Sequence, residues 1–294
     1  MRYLHCSDVH ITDHYGRRAL LRLGWRRWVA MAELQLGGRA RRFAHAEETL
    51  RQIARDAESL AADHLIVSGD LTAYAMPDEF VRARSALAPW VEDKAKASVI
   101  PGNHDRYTPG SLRSRRFERS FGQLLPSDFP ELAVEDGFPF VRLLGERDAV
   151  VGLCSARVPR LPGMSFGVIG EPQLSALARV VADSRLAGRA VLVLVHHAPF
   201  RANGRPDKLS HGLRDREALL GLLPGPRFAV LHGDINHRFH HEATATRPHI
   251  FGAGSSTEAG DEGYWLIETA EGRIASARAL KPGATTPARV EGTA

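Results

Sequence analysis

The chain has 294 residues, 44% hydrophobic and 25% charged, which suits one large globular domain or two small ones and argues against a fibrous or disordered class. No run approaches the roughly eighteen apolar residues of a membrane span, and the N-terminus lacks a secretory hydrophobic region, so the expected location is the cytoplasm. The formal net charge of +5 leans basic, and much of the excess lies in one arginine-rich segment, Arg17–Arg42, whose charges face a single Glu33.

In chain order, the first strand is predicted at Tyr3–Cys6, where the pattern is short and apolar. In the arginine-rich segment, Leu21, Trp25, Trp28 and Ala32 recur at helical spacing beside Arg22 and Arg26. This face either packs on the domain or forms a flap that receives an acyl chain or lies on anionic lipid. No aromatic-basic platform recurs elsewhere, which disfavours nucleic acid as a partner. Next come a helix over Ala44–Ala61, a strand at Leu65–Val67, a helix over Asp78–Ala88 and strands at Val99–Ile100 and Val150–Cys154. A helix over Glu171–Asp183, a strand at Val191–Val195, a helix over Asp215–Leu223 and a strand at Phe228–Leu231 follow. Pro77 and Pro172 fit helix first turns. Tyr264–Thr269 and Arg273–Ala279 read as a terminal hairpin, and residues 281–294 as a disordered tail. The alternation predicts a single α/β domain over residues 1–280. Cys6 and Cys154 sit in apolar runs and read as buried thiols, which fits a reducing compartment.

The residues that carry chemistry stand where predicted strands end. Asp8-Val9-His10 follows the first strand, Gly69-Asp70 the second, and Gly102-Asn103-His104-Asp105 the third. His196-His197 and His232-Gly233-Asp234-Ile235-Asn236-His237 follow two later strands. Functional groups in α/β sheets gather at the carboxyl ends of strands, so five such segments can converge on one cleft. Alternate residues of an extended Asp-x-His point the same way and can reach one ion. Each fragment alone is commonly a turn or a satisfied polar pair. Five in this order are hard to ascribe to turn chemistry.

This series resembles that of the calcineurin-like metallophosphoesterase superfamily, which runs D-x-H, G-D, G-N-H-[DE], H and G-H-x-H. The resemblance covers Asp8 to about Ser256. Gly24-Trp25, the stretch His64–Thr72, Glu79-Phe80 and Gly212-Leu213-Arg214-Asp215 look like the bacterial branch termed cyclic-nucleotide-phosphodiesterase-like. The resemblance implies a four-layer α-β-β-α sandwich and a dinuclear centre. Carried over, one metal takes Asp8, His10 and Asp70, and the other takes Asp70, Asn103 and His196, with Asp70 bridging. Such mixed donors suit Mn²⁺, Fe or Zn²⁺ better than Mg²⁺. Two ions can polarise the phosphoryl oxygens and generate a hydroxide for in-line attack. His104 matches the general acid that protonates the departing alkoxide. Asp105 either orients His104 or caps the turn.

The last motif departs from that pattern. In gapless register Asp234 and Asn236 replace both ligand histidines; a one-residue bulge would instead bring in His237. Three functions remain open at this stage. They are a phosphodiesterase acting on a cyclic nucleotide or similar small diester, a pyrophosphatase acting on a UDP-diacylglucosamine-like lipid precursor, and a metal-poor scaffold. The retained Asp8, His10, Asn103 and His104 argue against the scaffold.

Overall fold

The computed structural model describes residues 1–12, 39–106, 108–134, 136–158 and 164–284. Most of the arginine-rich segment, including its apolar face, lies outside the described residues, as does the tail from 285 onward. Residues Arg39–Arg42 form a short helix, α1. Helix α2 (Ala46–Ser59) buries Leu50, Ile53, Ala54 and Ala57, positions spaced to form one face. Helix α3 (Pro77–Leu87) opens on a proline, and Glu79 accepts the Met76 N–H at 2.9 Å and the Tyr74 N–H at 3.0 Å.

Strands β1 (Arg2–Cys6), β2 (His64–Val67) and β3 (Ala97–Val99) run parallel. The hairpin β10 (Tyr264–Ala270) and β11 (Arg273–Leu280) completes that sheet in the order β11-β10-β1-β2-β3. The second sheet holds β4 (Phe140–Leu144), β5 (Asp148–Gly152), β6 (Ala190–Leu194), β7 (Phe228–His232), β8 (Phe239–His241) and β9 (His249–Gly252). Its order is β4-β5-β6-β7-β9-β8, with β5, β6, β7 and β9 parallel. The short helices α4 (Pro109–Arg113) and α5 (Arg116–Phe121) follow β3. Helices α6 (Glu171–Ala182) and α7 (Arg216–Gly221) precede β6 and β7.

Strand alternation explains the layers. Leu192 and Leu194 of β6 and Ala229 and Leu231 of β7 join the core shared with β1, β2, α2 and α3. Their neighbours Val191, Val193, Phe228 and Val230 face Leu177 and Val180 of α6 and Leu219 of α7. Two sheets packed together, each covered by helices, give the expected α-β-β-α order. No helix among the described residues is long and apolar enough to cross a membrane.

Three strands escaped the sequence reading: β4, β8 and β9. The strand predicted at Val150–Cys154 instead spans Asp148–Gly152, paired to β4 and β6. Leu153 and Cys154 are buried beyond its end, and Leu153 N–H still donates to Leu194 O at 3.0 Å. Cys6 and Cys154 are free, buried thiols.

Candidate metal centre

The carboxyl ends of β1, β2, β3, β6 and β7 meet at one place, because the parallel strands of both sheets end on the same side of the cleft. The loop after β1 is bound to the loop after β2 by backbone. Asp8 N–H donates to Gly69 O (3.1 Å), Val9 and His10 N–H to Asp70 O (2.8 and 2.9 Å), and Ile11 N–H to Leu71 O (3.0 Å). Those bonds hold Asp8, His10 and Asp70 in the left-handed region, at φ 51°, 51° and 53°, and Asp234 joins them at φ 66°. Non-glycine residues rarely adopt this conformation, and its clustering at a site marks a backbone held for function.

Gly69 and Gly233 make the close approach feasible. A Cβ on Gly69, itself at φ 108°, would stand 2.7 Å from both Gly102 N and His196 Nδ1. One on Gly233 would collide with Ser7 Oγ and Asp8 Oδ2.

Two groups of metal-ligating side chains share Asp70: His10, Asp70 and His104, and Asp8, Asp70 and His196, each with donor atoms within 4.8 Å of one another. Asp70 Oδ2 lies 3.8 Å from His10 Nε2 and 3.4 Å from His196 Nε2, so one oxygen faces both imidazoles. His196 Nε2 is also 3.0 Å from Asn103 Oδ1, and His10 Nε2 is 3.8 Å from Asp8 Oδ1. Donors about 2.1 Å from one ion stand roughly 3–3.5 Å apart, so this convergence fits cations. His196 Nδ1–H donates to Ser68 O at 2.9 Å, which turns Nε2 toward the other donors.

His104 Nδ1–H donates to Ala73 O at 2.8 Å, which assigns proton exchange to Nε2. Its backbone N–H donates to Asp70 Oδ1 at 2.8 Å, and its ring stands edge-on to His10 with centroids 4.8 Å apart. Asp105 serves the turn. Its carboxylate accepts from Gly102 N–H (2.9 Å), Leu71 N–H (3.2 Å), Thr72 N–H (3.0 Å) and the Thr72 hydroxyl (2.8 Å). The capping alternative therefore describes what its side chain does.

The last motif contributes unevenly. Asp234 N–H donates to Asp8 Oδ2 at 2.9 Å, and the buried Asp234 Oδ2 has no hydrogen-bond partner. Asn236 is half-buried, and its Oδ1 accepts the Ser255 hydroxyl at 3.4 Å. His237 is exposed and joins neither ligand group.

The sequence reading missed residues 255–258. Ser7 N–H donates to Ser256 Oγ and Ser256 N–H to Ser7 O, both at 3.0 Å, and the Thr257 hydroxyl donates to Val9 O at 2.6 Å. Ser255 N–H donates to Asn236 O at 3.2 Å, so this segment joins the first motif to the last. Polar and lying after an unrecognised strand, it gave no signal beyond its place at the end of the resemblance. His197 is buried beside His196, bonded to the Ser155 hydroxyl at 2.8 Å, and held neutral by burial and by the His196 charge. Asp215 accepts from Gly170 N–H at 2.8 Å and steadies the start of α6.

Electrostatics favour a cation. Burial pushes Asp8 up to about 6, against the pull of His196 and with the help of Asp70. Burial, opposed by His196 but reinforced by Asp8 and Asp70, lifts Asp234 well above the usual carboxylate range. Burial works against Asp70 too, yet His196, His104 and His10 outweigh it and hold that carboxyl well below its usual range. Burial likewise opposes a charge on His196, but Asp70, Asp8 and Asp234 override it and raise its pKa well above the usual value. Crowded acids of this kind are relieved by bound cations.

The fold matches that of a dimetal phosphatase from Danio rerio, with 13% identity, 96% of this chain and 98% of that chain covered, and a TM-score of 0.59. A purple acid phosphatase from yellow lupin (Lupinus luteus) seeds matches at 10% identity and a TM-score of 0.54, over 92% of this chain and 49% of that one. At such identities the likeness speaks for the fold alone. No curated protein sequence matches the chain. The sequence profile of the calcineurin-like phosphoesterases matches residues 1–236, from β1 through the Asp234–Asn236 segment. With that profile spanning most of its length, the chain belongs to the calcineurin-like phosphoesterase family, whose members hydrolyse phosphoesters with a pair of metal ions.

Proposed function

We propose that the protein is a dinuclear metal-dependent phosphodiesterase of the cytoplasm that hydrolyses a cyclic nucleotide or similar small diester. The observation that carries this reading is the Asp70 carboxylate, whose Oδ2 faces His10 Nε2 at 3.8 Å and His196 Nε2 at 3.4 Å. Asp8, His10, Asp70 and Asn236 would hold one ion, and Asp70, Asn103, His196 and Asp234 the other. Bound there, two divalent ions neutralise phosphoryl oxygens and acidify a water nucleophile. His104, oriented through Ala73 O, donates its Nε2 proton to the departing alkoxide.

The altered motif supports a diester over a monoester. Two divalent ions against Asp8, Asp70 and Asp234 leave a net charge of about +1, where a neutral imidazole in place of Asp234 would leave about +2. A less positive centre suits the single charge of a diester better than the double charge of a monoester. Oxygen and nitrogen donors with an added carboxylate make Mn²⁺ the expected metal. The buried, unpartnered Asp234 Oδ2 argues against a metal-poor scaffold. The pyrophosphatase alternative rests on the arginine-rich segment, outside the described residues.

The test is the ratio of kcat/KM for bis(4-nitrophenyl) phosphate to that for 4-nitrophenyl phosphate, on Mn²⁺-loaded protein purified without chelator. A ratio above one is expected, falling in Asp234→His. A monoester preference would overturn the diester assignment. Absence of bound metal after loading would overturn the whole reading.

A further inference from the structure

Beside the metal centre lies a cavity of about 370 Å³. Arg106, Arg113 and Arg157 line it together with Leu112, Ala156 and Asp136. Two features place it next to the chemistry. Arg106 follows His104 by two residues, a span of at most about 7 Å. Cys154 and Ala156 in its wall flank Ser155, whose hydroxyl bonds His197, the neighbour of His196. The cavity therefore opens at the ends of β3 and β5, next to the strands that carry Asp70 and His196.

Its charge is built in. Arg106 is 5% exposed, pairs with Glu118 and with Asp136 (3.3 Å), and keeps a buried Nε–H without a hydrogen-bond partner. Arg157 is fixed by donating to Ile169 O at 2.8 Å. Arg113 is exposed and makes no ion pair among the described residues. Three guanidiniums thus line one cavity, and guanidinium forks match phosphate oxygens. Leu112 and Ala156 add apolar wall.

We propose that this cavity is a subsite for a second phosphate, carried by the alcohol portion of the substrate, so that the natural diester bears a phosphate beyond the scissile one. The assignment of substrate rests on the phosphodiesterase reading; the phosphate site does not.

Titration of inorganic phosphate into chelator-treated protein reads the site without turnover, and the variants at Arg113 and Arg157 distinguish it from any binding at the metal-free centre. One binding event is expected, with affinity about tenfold lower in Arg113→Ala and in Arg157→Ala, as loss of a charge-assisted hydrogen bond implies. Arg113→Lys should recover part of the loss. No binding, or binding unchanged in both alanine variants of folded protein, overturns the subsite even if the protein hydrolyses diesters.

The second arm uses Mn²⁺-loaded protein and the 4-nitrophenyl phosphodiesters of glycerol and of glycerol 3-phosphate, which differ by one phosphate. The phosphorylated member should show about a tenfold higher kcat/KM, through KM, and Arg113→Ala should reduce that preference. Equal values for the pair overturn the substrate-borne phosphate and leave a site for free phosphate. If neither diester is hydrolysed, the proposed function fails, and the titration still decides the site.

Discussion

On one side of the cleft, five backbone hydrogen bonds join the loops after β1 and β2, and the Asp105 carboxylate gathers four donors beneath them. On the other side, Asp234 reaches across through its N–H to Asp8 while its own Oδ2 is buried without a partner, and the Asn236 side chain accepts the Ser255 hydroxyl at a long 3.4 Å. The first side is organised by its own backbone. The second is held by Gly233 N–H to His196 O and Ser255 N–H to Asn236 O, yet leaves the Asp234 carboxylate oxygen unpaired. Sequence departure from the family pattern falls on the second side alone, where the structure constrains the side chains least.

Five substitutions break or sharpen that contrast. Asp70→Ala should do the most damage, because its carboxylate stands in both ligand groups. Metal affinity should drop beyond the roughly 100-fold typical of losing a supporting residue, taking turnover with it. Metal analysis beside Asn103→Ala checks this; equal losses at equal folded content would remove the bridge. His104→Ala should keep its metals yet lose on the order of 10²–10⁴ in kcat on an alkyl diester, and less on a nitrophenyl diester. Equal losses on both would take His104 out of proton donation.

On the less organised side the effects shrink. Asp234→Ala should weaken metal binding by about 10- to 100-fold, the scale of a ligand environment lost. Asn236→His should instead tighten it, because imidazole is the stronger donor; metal titration of both variants tests the pair. Unchanged binding in both would exclude the segment from the centre. His237→Ala, at an exposed position, should shift stability by no more than about 0.5 kcal/mol and leave metal content unchanged. Metal loss in that variant would mean the chain moves to bring His237 in.

The same asymmetry governs what could be read from sequence. β1, β2, β6 and β7 are fully buried or nearly so, and their short apolar runs announced them along with the motifs at their ends. β8 carries half-buried Phe239, His240 and His241 at a sheet edge, and β9 opens on His249, so neither shows a run or a clean alternation. Losing β9 hid the segment after it. Ser256 and Thr257 act on Ser7 and Val9 across 249 and 248 residues, a relation no local pattern contains. Which alternative Asp105 follows was also open in sequence, because cap and orienter require the same residue beside His104. Only the positions of Leu71, Thr72 and Gly102 decide it.

The place of β1 between β2 and β10 also sets an order of events during synthesis. The ribosome delivers Asp8 and His10 early, but the strand that covers one edge of β1 and the serine that pins Ser7 emerge some 249 residues later. At roughly 5–20 residues per second that interval is about 10–50 s. Throughout it, one edge of β1 lacks its β10 partner and Ser7 lacks its contact with Ser256.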